Sequence, residues 1–494
     1  MLIKVGEMKR MLSWHRLELA LFIIVMAMIL AFSLGNRLYG QEYQQVAGLI
    51  DTRTTFSDGD KSLEELVKLA KERGFYVLFV NDHDRMVMEY GLYPFRNIFR
   101  KRVEKVSILK IGANKYIEEI NKVSQEYPEM IIIAGVESSP FYYWTGSPLN
   151  KNLTAHNWEK HLLVMELETP EDYKNLPILH SNLSTRYLER LLPGTSIFLI
   201  PIILGIVVMK WKGPYRLAGI AVIILSFLAI MNYHPFKSSL FDPYHGDQGI
   251  LPYQELIDYV NERGGMTFWN HPETRSGIRK LNPINLHTPP YPDHLLRSQN
   301  YTGFAALYGD NITITEPGRE WDTTLQEYCR GKRKRPAWGI SAGDYHSEKG
   351  DPLGTYATVF LIKNKTKKEI LDALKRGRMY ACRRSLDSRI SLDEFSVGDP
   401  ATGLKGTMGE EVLCKDDPLV KLRISAQDGK KHNIRVRIVR NGQLIYSMKG
   451  TTPFEANIED NSFAPGKKIY YRMDMRGGGA TVVSNPIFVK FASS

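Results

Sequence analysis

Two uncharged apolar runs in mid-chain, Leu191–Met209 and Leu217–Tyr233, constrain this protein more than any other feature. Each approaches the roughly 20 residues that carry a helix across a hydrocarbon core. Neither keeps the polar face that a helix on the surface of a soluble core would show. The link between them, Lys210–Arg216, is short and basic, so the positive-inside rule places it in the cytoplasm. Pro193 and Pro201 make the start of this pair irregular, a break that membranes tolerate when neighbouring helices satisfy the freed backbone groups. A third apolar run, Leu19–Leu34, follows Lys4, Lys9, Arg10 and Arg16, and no small-residue cleavage site comes after it. It reads as an uncleaved signal anchor with a cytoplasmic N-terminus. Both basic patches therefore predict one path with three transmembrane helices in total. About Asn36–Arg190, and everything from about His234 onward, fall on the extracytoplasmic side, periplasmic or extracellular.

The remainder has the composition of folded domains. Of 494 residues, 43% are hydrophobic and 24% charged, enough for two or three domains outside the membrane. The net charge of +11 gathers at Arg330–Lys334, Lys363–Lys368, Arg376–Arg378 and Arg383–Arg384. This reads first as a solvated basic face and second as attraction to anionic substrates or lipid headgroups. No recognition helix or aromatic stacking platform for nucleic acid is evident. Cys329, Cys382 and Cys414 lack metal-finger spacing. They are read as one disulfide plus a thiol, or as three buried thiols.

Along the soluble parts, short apolar strands end in polar residues able to bind metal. Gly48–Asp51 is followed by Ser62–Glu65, a capping box, with Leu63, Leu66, Val67 and Ala70 on one apolar helical face and Gly74 beyond its end. Tyr76–Val80 leads into Asn81–Asp84, Ile131–Ala134 into Gly135–Glu137, and Met266–Trp269 into Asn270–Pro272. His161–Glu166 is a further strand, and Trp338–Ala342 leads into Gly343–His346. Strands alternating with helices, with chemistry gathered at strand ends, predict an α/β barrel. The membrane hairpin interrupts it between His161 and His271. After about residue 385, alternating strands at Val420–Ile424, His432–Val439, Ile469–Met473 and Ile487–Phe491 predict a small antiparallel β-sandwich, with turns at Asn441–Gly442 and Arg476–Gly479. The expected organisation is an anchor over 1–35, a first barrel part over 36–188, the hairpin over 189–234, a second barrel part over 235–384 and the β-domain over 385–494.

Of twelve histidines, His83, His161, His271 and His346 sit at or beside strand ends, as do Asp58, Asp82, Glu137 and Asp344. Imidazole and carboxylate ligands converging on one rim suit Zn²⁺, Mn²⁺ or Fe²⁺. Such ions activate water near neutral pH and neutralise an anionic transition state.

In order, Phe56–Gly59, the capped helix, Asn81–Asp84, Gly135–Glu137, His161, Asn270–Pro272 and Gly343–His346 resemble the polymerase-and-histidinol-phosphatase (PHP) superfamily. The tail Tyr470–Val489 is similar to the β-domain that follows the barrel in some bacterial members. The resemblance implies a distorted (βα)7 barrel holding two or three divalent ions. It implies one site from Glu137, His161 and His271, and another from Asp58, His83 and His346. The remaining site of the family uses a His-x-His pair with the bridging glutamate and the last aspartate, here Glu137 and Asp344. Counting back from Ser57–Gly59, that pair falls on Asp51 and Arg53. Asp51 can ligate a metal; a guanidinium, with no acceptor, cannot. Arg53 then reads as a fixed cation that pairs with Asp51, Asp344 or a substrate phosphate, or as the mark of a site that no longer turns over. The expectation is a membrane-anchored extracytoplasmic phosphoesterase for an anionic substrate, with Arg53, Glu137 and Asp344 nearest the chemistry. The alternative is a catalytically impaired ligand-binding or scaffold protein.

Overall fold

The computed structural model describes Met26 and residues 43–274, 277–461 and 467–491. The expected anchor Leu19–Leu34 lies outside the described residues, apart from Met26.

Seven strands organise the site: β1 (Gln44–Thr52), β2 (Val77–Val80), β3 (Ile131–Ser138), β4 (Leu162–Met165), β5 (Met266–Trp269), β6 (Gly303–Leu307) and β7 (Trp338–Ser341). They lie side by side in chain order. β1, β2 and β3 are parallel, and so are β5, β6 and β7. Between the two sets, β4 runs antiparallel to both neighbours. The segment after β7 returns to β1: Gly343 N donates to Ile50 O (2.9 Å), Tyr345 N to Asp51 O (3.0 Å) and Arg53 N to Tyr345 O (2.9 Å). The chain ends of the seven-strand set are therefore hydrogen-bonded to each other.

Every residue of β2, β4, β5, β6 and β7 is buried. Strands covered on both faces read as unbroken apolar runs, which is why most of them were visible in the sequence. β6 was not. Its Gly303 and paired alanines have poor strand propensity, yet a Cβ at Gly303 would fall 2.1 Å from Trp338 O, so close strand approach requires glycine there. Helix α1 (Leu63–Glu72) carries the predicted capping box from Ser62 and Glu65 and buries Leu63, Leu66, Val67 and Ala70.

Mid-chain, α2 (Leu188–Ser196) and α3 (Leu199–Met209) are separated by Ile197 and Phe198, one turn after Pro193, and α4 (Pro214–Asn232) follows the basic link. The described chain thus has two helices, Leu188–Met209 and Pro214–Asn232, long and apolar enough to cross a membrane. Their large side chains, Ile203, Leu204, Leu225 and Phe227 among them, are exposed rather than packed. α3 and α4 touch through glycines: a Cβ on Gly219 would lie 2.6 Å from Gly205 O. Small residues at such crossings let helix backbones approach in lipid.

Beyond β7, strands β8 (Tyr356–Ile362) and β9 (Met379–Arg384) join the edge of β1. The sheet then continues through Ala480–Ser484 into Ile469–Gly477 and Asn433–Arg440. A separate four-stranded antiparallel sheet contains Ile390–Gly398 and Leu419–Ala426. Because the main sheet runs through, residues Gln45–Ser494 form one compact unit. All three cysteines are free thiols.

Candidate metal centre

Glu137, in β3, is the hub. The residue is buried, and its two carboxylate oxygens face different partners. Oε1 lies 3.1 Å from His161 Nδ1 and 3.3 Å from His271 Nε2, and accepts a 2.6 Å hydrogen bond from Asn270 Nδ2. Oε2 lies 3.2 Å from His83 Nδ1 and 2.5 Å from the Arg53 guanidinium. Strand geometry brings these groups together. His83 pairs in parallel with Glu137, His161 precedes β4, and His271 follows β5. Asp51, His271 and Asp344 all adopt left-handed backbone angles, φ 68°, 29° and 44°. Non-glycine residues pay for that conformation, and such strain gathers at functional sites.

His161 Nδ1 and His271 Nε2 are 3.1 Å apart. Three donor atoms within 3.1–3.3 Å of each other match the edge of about 3.3 Å expected of a tetrahedron around a 2.0–2.1 Å ligand shell. Glu137, His161 and His271 therefore fit a divalent ion, as does the grouping His83, Glu137 and His161. A second group lies at the surface. Asp58 Oδ1 is 3.3 Å from His346 Nδ1, Asp58 Oδ2 is 3.6 Å from His83 Nε2, and His346 Nε2 is 3.0 Å from Asp344 Oδ1. It offers the same ligand chemistry in a looser arrangement.

The third group, Asp51, Glu137 and Asp344, also brings three carboxylates together. Its centre is filled by Arg53. One amino group is 2.5 Å from Asp51 Oδ1 and donates to Asn81 O; the other lies 2.5 Å from Glu137 Oε2 and 3.1 Å from Asp344 Oδ1. Asp51 Oδ2 accepts from Asn270 Nδ2 at 2.7 Å, so both Asp51 oxygens have protein partners. A metal does not fit this group while the guanidinium stands there. Arg53 itself is fully buried.

Electrostatics follow this layout. Burial pushes Glu137 up, but Arg53 and His161 outweigh it and hold the carboxyl well below its usual range. Burial pushes Asp51 up to about 6 against the pull of Arg53. Burial lowers His161, which Glu137 only partly offsets. For His346, burial is outweighed by Asp344 and Asp58, which push it up to about 10. Desolvation also opposes the charged form of His83 and of His271, yet Asp58 and Glu137 raise the first, and Glu137 raises the second.

All eight predicted ligands, Asp51, Asp58, His83, Glu137, His161, His271, Asp344 and His346, converge here with Arg53. Sequence reasoning gave no role to Asn270, which spans Asp51 and Glu137, nor to Asn81, whose Oδ1 accepts from Asp51 N at 3.1 Å. Asp82, counted there among the strand-end carboxylates, is instead structural. It accepts from Thr54 N, Thr54 Oγ1 and Ser57 Oγ at 2.6–2.8 Å, fixing the loop that carries Asp58. An open cavity of about 240 Å³, lined by His271, Tyr308, Asp344 and His346, leads to the cluster.

One expected result follows from the raised histidines. Metal must displace protons from His346, His83 and His271, so uptake releases protons. Apparent Zn²⁺ affinity, titrated with a chelator-buffered series, is expected to fall by more than about tenfold between about pH 8 and about pH 6. An affinity independent of pH would exclude these histidines as ligands.

No protein-family model matches this chain, and a search of curated proteins finds no match. Solved structures do match. A two-domain protein containing a predicted PHP-like metal-dependent phosphoesterase from Bacteroides vulgatus is 12% identical, covering 87% of this chain and 90% of that one, with a TM-score of 0.35. A putative metal-dependent phosphoesterase from Bifidobacterium adolescentis is 16% identical, covering 66% and 96%, with a TM-score of 0.31. An amidohydrolase from Chromobacterium violaceum, with bound sulfate and no metal, is 12% identical, covering 62% and 89%, with a TM-score of 0.28. At such scores the likeness bears on neither the fold nor the chemistry of this chain.

Proposed function

We propose that this chain is a membrane-tethered, metal-dependent phosphoesterase built on a distorted seven-stranded barrel, its site on the extracytoplasmic side. The observation that carries this reading is the 3.1–3.3 Å convergence of Glu137, His161 and His271, with His83, Asp58 and His346 beside them. Two ions of the Zn²⁺, Mn²⁺ or Fe²⁺ class would be held by these residues. When bound, they supply Lewis acidity to water and to a phosphoryl oxygen. Glu137 orients three imidazoles through its two oxygens, and Asn270 locks Glu137 and Asp51 in place. Asp344, with a 46% exposed side chain, stands at the mouth. Arg53, with no exposed surface, acts as a fixed cation in place of a further ion rather than by touching substrate. The hairpin's exposed apolar surface and the basic link Lys210–Arg216 support the tether and its orientation.

The test is metal analysis of the detergent-purified full chain with a panel of phosphomonoesters and phosphodiesters, comparing wild type with Arg53→His. Wild type is expected to carry about two ions per chain and the variant one more, because removing the guanidinium opens three carboxylates to a new imidazole. Added Mn²⁺ or Zn²⁺ should then stabilise the variant more than the wild type. An unchanged metal count would refute the motif assignment. The filling of the third group by Arg53 also favours a second reading, a ligand-binding protein without turnover. Metal binding with no cleavage of any phosphoester would select it.

A further inference from the structure

A second cavity, of about 510 Å³, lies at the end of the membrane hairpin and contains none of the metal-centre residues. Its wall includes Asn232, the last residue of α4, and His234 and Lys237 just beyond it. Another part of the lining comes from residues 93–102, whose Asn97 donates its backbone N–H to Asn232 Oδ1 (2.9 Å) and its side-chain amide to Asn232 O (2.7 Å). That segment is therefore bonded to the end of a helix read as crossing the membrane. It exposes Tyr93 and Phe99, at 81% and 56%, and exposed Tyr233 and Phe236 belong to the same lining. Aromatic and apolar side chains exposed at the end of such a helix are the usual anchors at headgroup depth.

The lining is cationic. Arg96, Arg100, Arg102 and Lys237 face Glu89 and Asp242. Arg100 and Arg102 share Glu89, each at 2.7 Å, and Arg102 also reaches Glu104 at 3.3 Å, so the cations of the lining without an ion pair among the described residues are Arg96 and Lys237. Arg96 lies over the Tyr244 ring at 3.9 Å, and its buried Nε has no hydrogen-bond partner among the described residues. Buried His180 Nε2 and His234 Nδ1, which also line the cavity, are without hydrogen-bond partners among them as well. The unpaired Arg96 Nε–H carries a desolvation cost that a bound acceptor removes. A charge excess, unpaired polar atoms and an apolar rim together describe an amphiphilic anion with one end in water and the other in lipid.

We propose that this cavity binds the phosphate headgroup of an anionic lipid from the leaflet adjoining the soluble body. Arg96 and Lys237 take the phosphate oxygens, while Tyr93, Phe99 and the end of α4 border the acyl chains. The inference rests on the membrane-crossing reading of the hairpin and is independent of the metal reading.

The test uses the full-length protein in nanodiscs of phosphatidylcholine doped with phosphatidylglycerol, with retained lipid counted by native mass spectrometry after release. Wild type is expected to retain phosphatidylglycerol about tenfold over its share of the bilayer. Arg96→Gln with Lys237→Gln should abolish that preference, and Lys237→Gln alone, a milder change, should weaken it about threefold. Arg435→Gln, an exposed charge outside the cavity, and His83→Ala, in the metal centre, should both leave it intact. No preference in wild type, or an unchanged preference in both cavity variants, would overturn the proposal. Displacement of the lipid by millimolar inorganic phosphate would assign the cavity to a soluble anion instead and overturn the lipid source. Failure of the protein to enter nanodiscs would remove the hairpin reading, and this inference with it.

Discussion

A Glu137→Gln variant is expected to lose at least about a hundredfold in metal affinity and all measurable phosphoester turnover. The amide is isosteric but neutral, and it presents one acceptor where the carboxylate presents two. With its carbonyl at the Oε1 position the amide would still accept from Asn270 but would turn its NH₂ on the Arg53 guanidinium; flipped, it would turn that NH₂ on the Asn270 donor. The Oε2 side would leave Arg53 with one anion fewer. Metal per chain after dialysis, by mass spectrometry, and turnover with added Mn²⁺ check the prediction separately. Retention of two ions by the variant would show that Glu137 is a structural partner of Arg53 and not a ligand. His271→Ala probes the same cluster without disturbing the arginine, since its contacts run to Glu137 and His161 alone among the charged site residues.

The second large effect is on stability. Asp322→Ala is expected to cost about 3–5 kcal/mol, the usual penalty for orphaning a buried charge. Asp322 stands on the helix Glu320–Cys329 and Arg472 on the strand Ile469–Gly477, and both are fully buried. Arg472 grips the carboxylate through Nε at 2.7 Å and an amino group at 2.6 Å, Tyr470 donates to it at 2.7 Å, and Gly318 N at 2.8 Å. Removing the anion strands a guanidinium against the Trp321 ring, 4.9 Å from its centroid. Replacing the pair together, as Asp322→Leu with Arg472→Met, should cost much less, because no charge is left unpaired. Denaturant midpoints in detergent measure both. A single variant no less stable than the double would mean that the pair does not fasten these C-terminal strands to the helix.

Local signals in the chain carried far. Ser62 and Glu65 announced a helix start, and both sides of the capping box are made, because that motif needs only atoms within one turn. Continuous apolar runs marked β2, β3, β4, β5 and β7, because strands buried on both faces have no polar side to dilute the signal. Gly303–Leu307 escaped because alanine and glycine carry no strand preference, and its fit is set by Trp338 on the next strand. The chain also indicated that Arg53 stands where a ligand is expected, since that inference needs only spacing and the chemistry of guanidinium.

By itself, then, the sequence determined the order of the apolar strands other than β6, the capped helix, the apolar hairpin and its basic link, and the kinds of ligand brought to the strand ends. Only the tertiary structure decided how they are used. Arg53 reaches Glu137 and Asp344 across separations of 84 and 291 residues, and Asn270 reaches Asp51 across 219. The basic cavity combines residues near 96, 180 and 237, none of which shares a motif. Register and closure of the sheet set those distances to within a fraction of an ångström. Local propensity acts over a few residues and carries no record of which strand end will face which. That is why the metal-ligand types, and Arg53 as a cation that could pair with Asp51 or Asp344, could be read from the chain, while its contact with Glu137 and the bridge made by Asn270 could not.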